Sequence, residues 1–148
     1  MFTGKLILGC IILSVPVAVA THASACSCIA ITDPLQHYEN ANMVFVGTVV
    51  RGNSHGASLE GPMKPGAFPF RTFEFTVSNV LKGAARSPVT IKTGLGGGDC
   101  GYNFTVGTEY LVYAHGSGTD LNVSICGGTK EFEPNGREDV RIIESKRK

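Results

Sequence analysis

Hydrophobic and polar residues alternate along several short stretches of this chain, a pattern typical of β-strands with one buried face. The clearest alternation covers residues 71–81. Phe73, Phe75 and Val77 share one face of this stretch, and threonine, glutamate and serine side chains occupy the other. Further strands are predicted at residues 43–50, 89–93, 109–114 and 121–126. Five short strands separated by glycine-containing turns indicate a mainly β fold, either a small barrel or a sandwich.

Two segments outside the strands favour helix. Asp33 is a good N-cap residue and Pro34 suits the first helical position, which predicts a short helix over residues 33–41. Near the end of the sequence, apolar residues recur at roughly helical spacing, which predicts a second helix over residues 137–146. Residues 52–69 are rich in glycine, proline, serine and asparagine, which predicts a long loop or an extended hairpin tip.

The first 25 residues have the pattern of a secretory signal peptide. Lys5 precedes an apolar stretch, and Ala23-Ser24-Ala25 supplies the small residues that signal peptidase accepts. The apolar stretch is shorter than the about 18 to 20 residues that a membrane-spanning helix needs. We therefore predict a signal peptide at residues 1–25 and one domain at residues 26–148, without a membrane span. Such a protein would be secreted to the extracellular space, or to the periplasm in a bacterium.

Lipidation is the alternative fate of this leader. Ile7-Leu8-Gly9-Cys10 resembles a lipidation box, but it follows Lys5 too closely to leave room for a signal core of about 7 to 15 residues. At Cys26, Ala23 stands where such boxes usually carry a large aliphatic residue. Lipidation of Cys26 is therefore disfavoured, and cleavage would leave its α-amine free.

The charge balance of the chain argues against two classes of partner. The formal net charge of +1 falls to zero when the single lysine of residues 1–25 is removed. Proteins that bind nucleic acid or acidic membranes usually carry a basic excess or stripe. We therefore expect neither kind of partner.

Four cysteines remain after the predicted cleavage, namely Cys26, Cys28, Cys100 and Cys126. An even number in an exported protein implies disulfides. A bond between Cys26 and Cys28 would close a small strained ring, so both should reach across to the two later cysteines, in either of two pairings. Each bridge would contribute about 4 kcal/mol in the chain-entropy model. A structural zinc site is disfavoured because the spacing lacks paired C-x-x-C knuckles.

No catalytic constellation is visible in the sequence. His37, His55 and His115 have no metal-binding spacing and are expected to be surface residues. There is no G-x-S-x-G motif, and the cysteines are expected to be oxidised. The glycine-rich residues 94–99 lack the Lys-Ser/Thr of a P-loop, so we interpret them as a flexible connector that delivers Cys100. We expect neither an enzyme nor a cofactor of the chain's own.

Six motifs along the chain match one known pattern. They are Cys26-Ser27-Cys28, Val46-Gly47-Thr48-Val49-Val50, Leu81-Lys82-Gly83, Cys100-Gly101-Tyr102, Glu109-Tyr110-Leu111-Val112 and Ser124-Ile125-Cys126. Together they resemble the N-terminal domain of the tissue inhibitors of metalloproteinases. The resemblance implies a netrin-like OB-fold, a five-stranded Greek-key barrel with short flanking helices. It also implies two disulfides, Cys26–Cys100 and Cys28–Cys126.

The resemblance further implies a secreted, monomeric inhibitor of zinc metalloendopeptidases. In this family the α-amine and carbonyl of the first cysteine bind the catalytic zinc of the protease, and the next residue enters the pocket beside the metal. These roles would fall to Cys26 and Ser27, and the only zinc involved would belong to the protease. The residues expected to form the inhibitory ridge are Cys26, Ser27, Cys28, Ile29, Ala30, Gly98 and Asp99. The alternative is a non-inhibitory netrin-type protein-binding module, which could be anchored at a surface.

Overall fold

The structure, a computed structural model, describes residues 26–56, 68–84 and 87–147. The predicted signal peptide at residues 1–25 lies outside the described residues, as do residues 57–67 of the predicted loop. Within the described ranges, no helix is long and apolar enough to cross a membrane.

Six strands and two α-helices make up the described part of the chain. In chain order they are α1 (Pro34–Asn40), β1 (Met43–His55), β2 (Phe70–Lys82), β3 (Val89–Thr93), β4 (Glu109–Ser117), β5 (Asp120–Asn122), β6 (Lys130–Glu131) and α2 (Arg137–Lys146). A short 3-10 turn at Gly97–Asp99 lies between β3 and β4. Both predicted helices are therefore confirmed, and Asp33 caps α1 by accepting a hydrogen bond from the Leu35 amide at 2.9 Å.

Strands β1 to β5 close into a barrel through five strand pairings. The order is β1-β2-β3-β5-β4, and β4 pairs back onto β1. The β3–β5 pair is parallel and the other barrel pairs are antiparallel. This arrangement confirms the predicted mainly β, five-stranded OB-fold barrel with short flanking helices and two disulfides. Strand β6 adds a short antiparallel pairing to β4.

Strand β1 pairs with a neighbouring strand on each side. It pairs with β4 over residues 43–48 and with β2 over nearly its whole length, with three irregularities in the β2 register. Gly47 lies at one of them, and a Cβ there would be 2.9 Å from the carbonyl oxygen of Thr76. A glycine at this position therefore lets two strands approach where the sheet coils.

Two hydrophobic clusters lie on the two faces of this sheet. The barrel interior contains aromatic side chains in edge-on contact, with the rings of Phe45 and Phe75 5.6 Å apart and those of Phe75 and Phe104 5.1 Å apart. The second cluster lies outside the barrel, where strands β1 and β4 pack against Val140 and Ile143 of α2. Helix α2 thereby covers an apolar sheet face that water would otherwise reach.

The structure differs from the sequence predictions at several strand ends, and β4 runs to Ser117 rather than to the predicted residue 114. The segment predicted as loop from residue 52 continues β1 as far as His55, because cross-strand contacts replace apolar burial there. Arg51 forms an ion pair with Glu74 at 2.7 Å, and the His55 ring stacks on Phe70 at 4.8 Å. Strand β5 is shorter than the predicted 121–126, and the two-residue β6 was not predicted.

Candidate functional site

The Cys26-Ser27-Cys28 motif lies in an extended, irregular segment at one end of the barrel. Cys26 is partly buried, while Ser27, Cys28, Ile29 and Ala30 are exposed. The two disulfides join Cys26 to Cys100 and Cys28 to Cys126, which is the pairing that the family resemblance implies. Their Cα–Cα distances of 5.6 Å and 5.2 Å lie in the usual range for disulfides. Ser27 is thus held between two covalent anchors.

The anchoring cysteines Cys100 and Cys126 lie on neighbouring stretches of main chain. Gly101 and Ser124 form an isolated antiparallel bridge, and the amide of Ile125 donates to the carbonyl oxygen of Cys100 at 3.0 Å. These main-chain contacts fix the separation of the two anchors. The geometry of the whole ridge therefore depends on how well this part of the barrel end is ordered.

Residues 94–101, which we call the glycine loop, form an ordered turn around the side chain of Asp99. Its carboxylate accepts hydrogen bonds from the amides of Leu95 at 2.6 Å, Gly96 at 2.8 Å and Gly101 at 3.1 Å. Those from Leu95 and Gly101 are the leading causes that hold the pKa of Asp99 below its ordinary value of 3.8. The expectation of a flexible connector was wrong, because a single carboxylate collects three main-chain donors.

Glycine is needed at the two ends of this loop for close packing. A Cβ on Gly94 would lie 2.5 Å from Oδ2 of Asp99, and one on Gly101 would lie 2.4 Å from the carbonyl group of Gly94. Cys100 follows Asp99 with φ 59° and ψ 19°, and it has the one positive φ outside glycine in the described parts of the chain. The loop geometry thus sets the direction in which the Cys100 side chain leaves the backbone.

Arg71 on β2 joins the first residue of the glycine loop to the two residues that follow the loop, and it was not among the predicted site residues. Its guanidinium donates to the carbonyl oxygen of Gly94 at 3.2 Å, to that of Tyr102 at 3.3 Å and to Oδ1 of Asn103 at 2.8 Å. The signal that could have found it is an arginine at the start of a strand whose inward positions are otherwise apolar. Gly98, one of the predicted ridge residues, lies beside Cys26, with its carbonyl oxygen 3.6 Å from Sγ of Cys26.

A third anchor holds the far end of the exposed segment. Nε2 of His37 on α1 donates to the carbonyl oxygen of Ile31 at 3.1 Å. His37 was expected at the surface, and this prediction is wrong because the side chain is buried. Its ring lies 5.5 Å from that of Tyr113 and close against Gly128. This role was not predictable from residue types, because the acceptor is a main-chain carbonyl.

The chain matches no protein-family model and no curated protein. The family resemblance of its motifs therefore stays a prediction.

Apolar side chains are exposed on each of the three segments that the disulfides join. Ile29 follows Cys28 and is 88% exposed, Ile125 precedes Cys126 and is 46% exposed, and Leu95 in the glycine loop is 38% exposed. Exposed apolar side chains around a rigid centre are a common feature of protein-binding surfaces. Across residues 26–56, 68–84 and 87–147, no three His, Cys, Asp or Glu side chains are grouped to hold a metal ion. The exposed surface around the disulfides therefore includes main-chain atoms, apolar side chains and the polar side chains of Ser27 and Asp99.

Proposed function

We propose that this protein inhibits zinc metalloendopeptidases by presenting the α-amine and carbonyl of Cys26 to the catalytic zinc of the protease. The proposal requires cleavage of the peptide bond before Cys26, as the signal-peptide pattern predicts. The observation that carries it is the Cys26-Ser27-Cys28 segment, in which Ser27 and Cys28 are exposed and disulfides hold the chain on both sides of Ser27.

The chemistry suits a zinc enzyme that uses a bound water. Catalytic zinc sites keep one coordination position open for water or substrate, and a ligand that fills this position removes the nucleophile. An amine and a carbonyl of one residue supply two neutral donors from a single point. Because an α-amine has an ordinary pKa of about 7.7 to 8.0, its deprotonation costs little near neutral pH.

Rigidity supports the same proposal. An inhibitor that is already ordered loses less conformational entropy on binding than a flexible peptide does. Here the disulfides tether residues 26 and 28 to the barrel, and the His37 contact holds Ile31. Ser27 is small and exposed between the anchors, so its side chain could enter the pocket beside the zinc.

The exposed apolar residues provide the remaining contact area. Ile29, Leu95 and Ile125 would be buried against the protease, together with Ala30, Gly98 and Asp99 of the predicted ridge. Two disulfides suit an oxidising compartment, which agrees with an exported inhibitor that meets extracellular or periplasmic proteases.

The decisive experiment compares three forms of the protein that differ only at the amine. The first begins at Cys26, the second carries one additional alanine before Cys26, and the third is acetylated at the Cys26 amine. Intact mass confirms each N-terminus and both disulfides, and inhibition is then measured against a panel of zinc metalloendopeptidases with a fluorogenic peptide. A form with one alanine added after Lys148 serves as the matched control.

We expect the free form and the control to inhibit at least one protease, and the two blocked forms to lose inhibition. Equal inhibition by the extended form would exclude chelation by the amine. If the free form inhibits no protease in the panel, the protein is better interpreted as a non-inhibitory netrin-type binding module. The exposed apolar residues around Cys28 and Cys126 would then be the place where its partner binds.

A further inference from the structure

Two side chains of opposite charge hold the glycine loop. Asp99 accepts hydrogen bonds from main-chain amides, and Arg71 donates hydrogen bonds to oxygen atoms. Asp99 collects three main-chain N–H groups, from Leu95, Gly96 and Gly101. Arg71 collects three oxygen acceptors, from Gly94, Tyr102 and Asn103. Hydrogen bonds that involve a charged group are stronger than neutral ones, so these contacts can order a segment that is rich in glycine.

Cys100 connects these contacts to Cys26. This residue directly follows Asp99, adopts a left-handed backbone conformation and bonds to Cys26. Gly98 lies within the same turn, and its carbonyl oxygen contacts Sγ of Cys26 at 3.6 Å. A disulfide has rotatable bonds on both sides of its sulfur pair, so by itself it tethers Cys26 without fixing the orientation of its main chain.

We propose that Arg71 and Asp99 are positioning residues that orient the main chain of Cys26 and thereby determine how tightly the ridge binds a metalloprotease. This inference rests on the proposed function and extends it to residues outside the Cys26-Ser27-Cys28 motif. The disulfides then tether Cys26 to the barrel, and the two charged side chains set the orientation of its main chain.

The structure also indicates that this role is separable from folding. The Asp99 side chain is exposed, and the barrel interior is filled by a separate cluster of apolar residues. Independent contacts hold the chain on either side of the loop, namely the hydrogen bonds of Thr93 on β3 to Tyr102 and Val123 and the Gly101–Ser124 bridge. Loss of the Asp99 contacts should therefore loosen the loop and the ridge while the barrel and both disulfides stay intact.

Two substitutions test the inference with minimal change of shape. Asp99→Asn replaces one acceptor oxygen with an NH2 group, so the three N–H donors can no longer all be accepted. Arg71→Lys keeps the positive charge but cannot reach three acceptors as the guanidinium does. Asp120→Asn and Arg51→Lys are the matched controls, because both residues are exposed and neither bonds to the glycine loop among the described contacts.

The first measurement is the mobility of the ridge, from 15N relaxation of the full domain beginning at Cys26. In the unchanged protein we expect order parameters of about 0.85 at Ser27 and Leu95, as in rigid backbone, and in Asp99→Asn values below about 0.6. Urea unfolding and intact mass show in parallel that the barrel and both disulfides are retained. Unchanged order parameters in both loop variants would overturn the inference.

The second measurement is the inhibition constant against a protease that the unchanged protein inhibits. We expect Asp99→Asn and Arg71→Lys each to raise it about 10-fold or more, mainly through faster dissociation, while the two controls remain within about twofold. A mobile ridge with unchanged inhibition would refute the role of Arg71 and Asp99 in binding and leave the chelation proposal standing. If the unchanged protein inhibits no protease, the proposed function fails, and the relaxation data alone decide whether these residues order the ridge.

Discussion

Thr93, at the end of β3, is the point where the barrel joins the glycine loop, and Thr93→Val tests this connection. The Thr93 hydroxyl accepts a hydrogen bond from the amide of Tyr102 at 2.8 Å and donates one to the carbonyl oxygen of Val123 at 2.8 Å. The residue is only 3% exposed. Valine has nearly the same shape but carries a methyl group in place of the hydroxyl, so neither hydrogen bond can form.

The expected loss of stability follows from the two groups left without a partner. A buried main-chain group that loses its hydrogen bond costs about 1 to 3 kcal/mol. Val123 is 4% exposed, so the loss at its carbonyl should cost an amount in the middle of this range. Tyr102 is half-buried, so the loss at its amide should cost an amount at the lower end. Burial of the new methyl group returns about 0.8 kcal/mol. We therefore expect the free energy of unfolding to fall by about 2 to 3 kcal/mol.

Urea unfolding followed by circular dichroism, with both disulfides intact, measures this change. Thr90→Val on the same strand is the matched control, because Thr90 is exposed and its substitution should change stability by less than about 0.5 kcal/mol. Thr93→Ser keeps the hydroxyl and should retain most of the stability. If Thr93→Val cost no more than Thr90→Val, the hydroxyl would not be joining β3 to the main chain at Tyr102 and Val123 as the distances indicate.

Three further predictions concern the same end of the barrel. Because main-chain donors, Leu95 foremost, lower the pKa of Asp99, its carboxylate adds stability that is fully present above pH 3.8 and is lost as the pH falls through the lowered folded-state value. Urea unfolding should therefore show the unchanged protein and Asp99→Asn converging in strongly acidic solution, and a constant difference down to pH 2 would contradict this. Gly101→Ala should cost about 3 kcal/mol or more by thermal unfolding, whereas Gly118→Ala, with a positive φ but open space around it, should cost about 1 kcal/mol; equal losses would disprove the packing argument. His37→Leu removes the donor to the Ile31 carbonyl and should cost about 1 kcal/mol while raising the mobility of Ile31 in 15N relaxation, and no change in either would exclude this anchor.

The strands were predictable wherever burial imposes a simple period. Residues 71–81 alternate because one face of β2 packs into the barrel, and the observed strand, Phe70–Lys82, differs by one residue at each end. β1 reads instead as a nearly continuous apolar run, because Phe45 points into the barrel while Val44 and Val46 pack under α2. The polar end of β1 was missed because its pairing depends on partners in β2 that are distant in sequence.

The candidate site was predictable to the extent that its chemistry resides in side chains of a distinctive type. An even number of cysteines in an exported chain indicates disulfides, so the four cysteines that anchor the ridge could be named from the sequence alone. Arg71, His37 and the role of Asp99 were missed, because each bonds to main-chain groups. Every residue carries a main-chain amide or carbonyl, so no pattern of residue types identifies which of them will be the partner.

The disulfides and the charged side chains stabilise the ridge in different ways. A bridge that joins residues 74 positions apart, as Cys26–Cys100 does, acts in the chain-entropy model chiefly on the unfolded chain, so its stabilising effect extends to the whole domain. The hydrogen bonds of Asp99 and Arg71 exist only in the folded loop, where they offset the backbone entropy lost by ordering Gly96, Gly97 and Gly98. Reduction of the bridge should therefore lower the stability of the entire barrel, whereas loss of Asp99 should change mainly the local order of the ridge. Asp99 and Cys100 are adjacent in the sequence. The residue that orders the ridge locally therefore lies directly beside the cysteine whose bridge stabilises the whole domain.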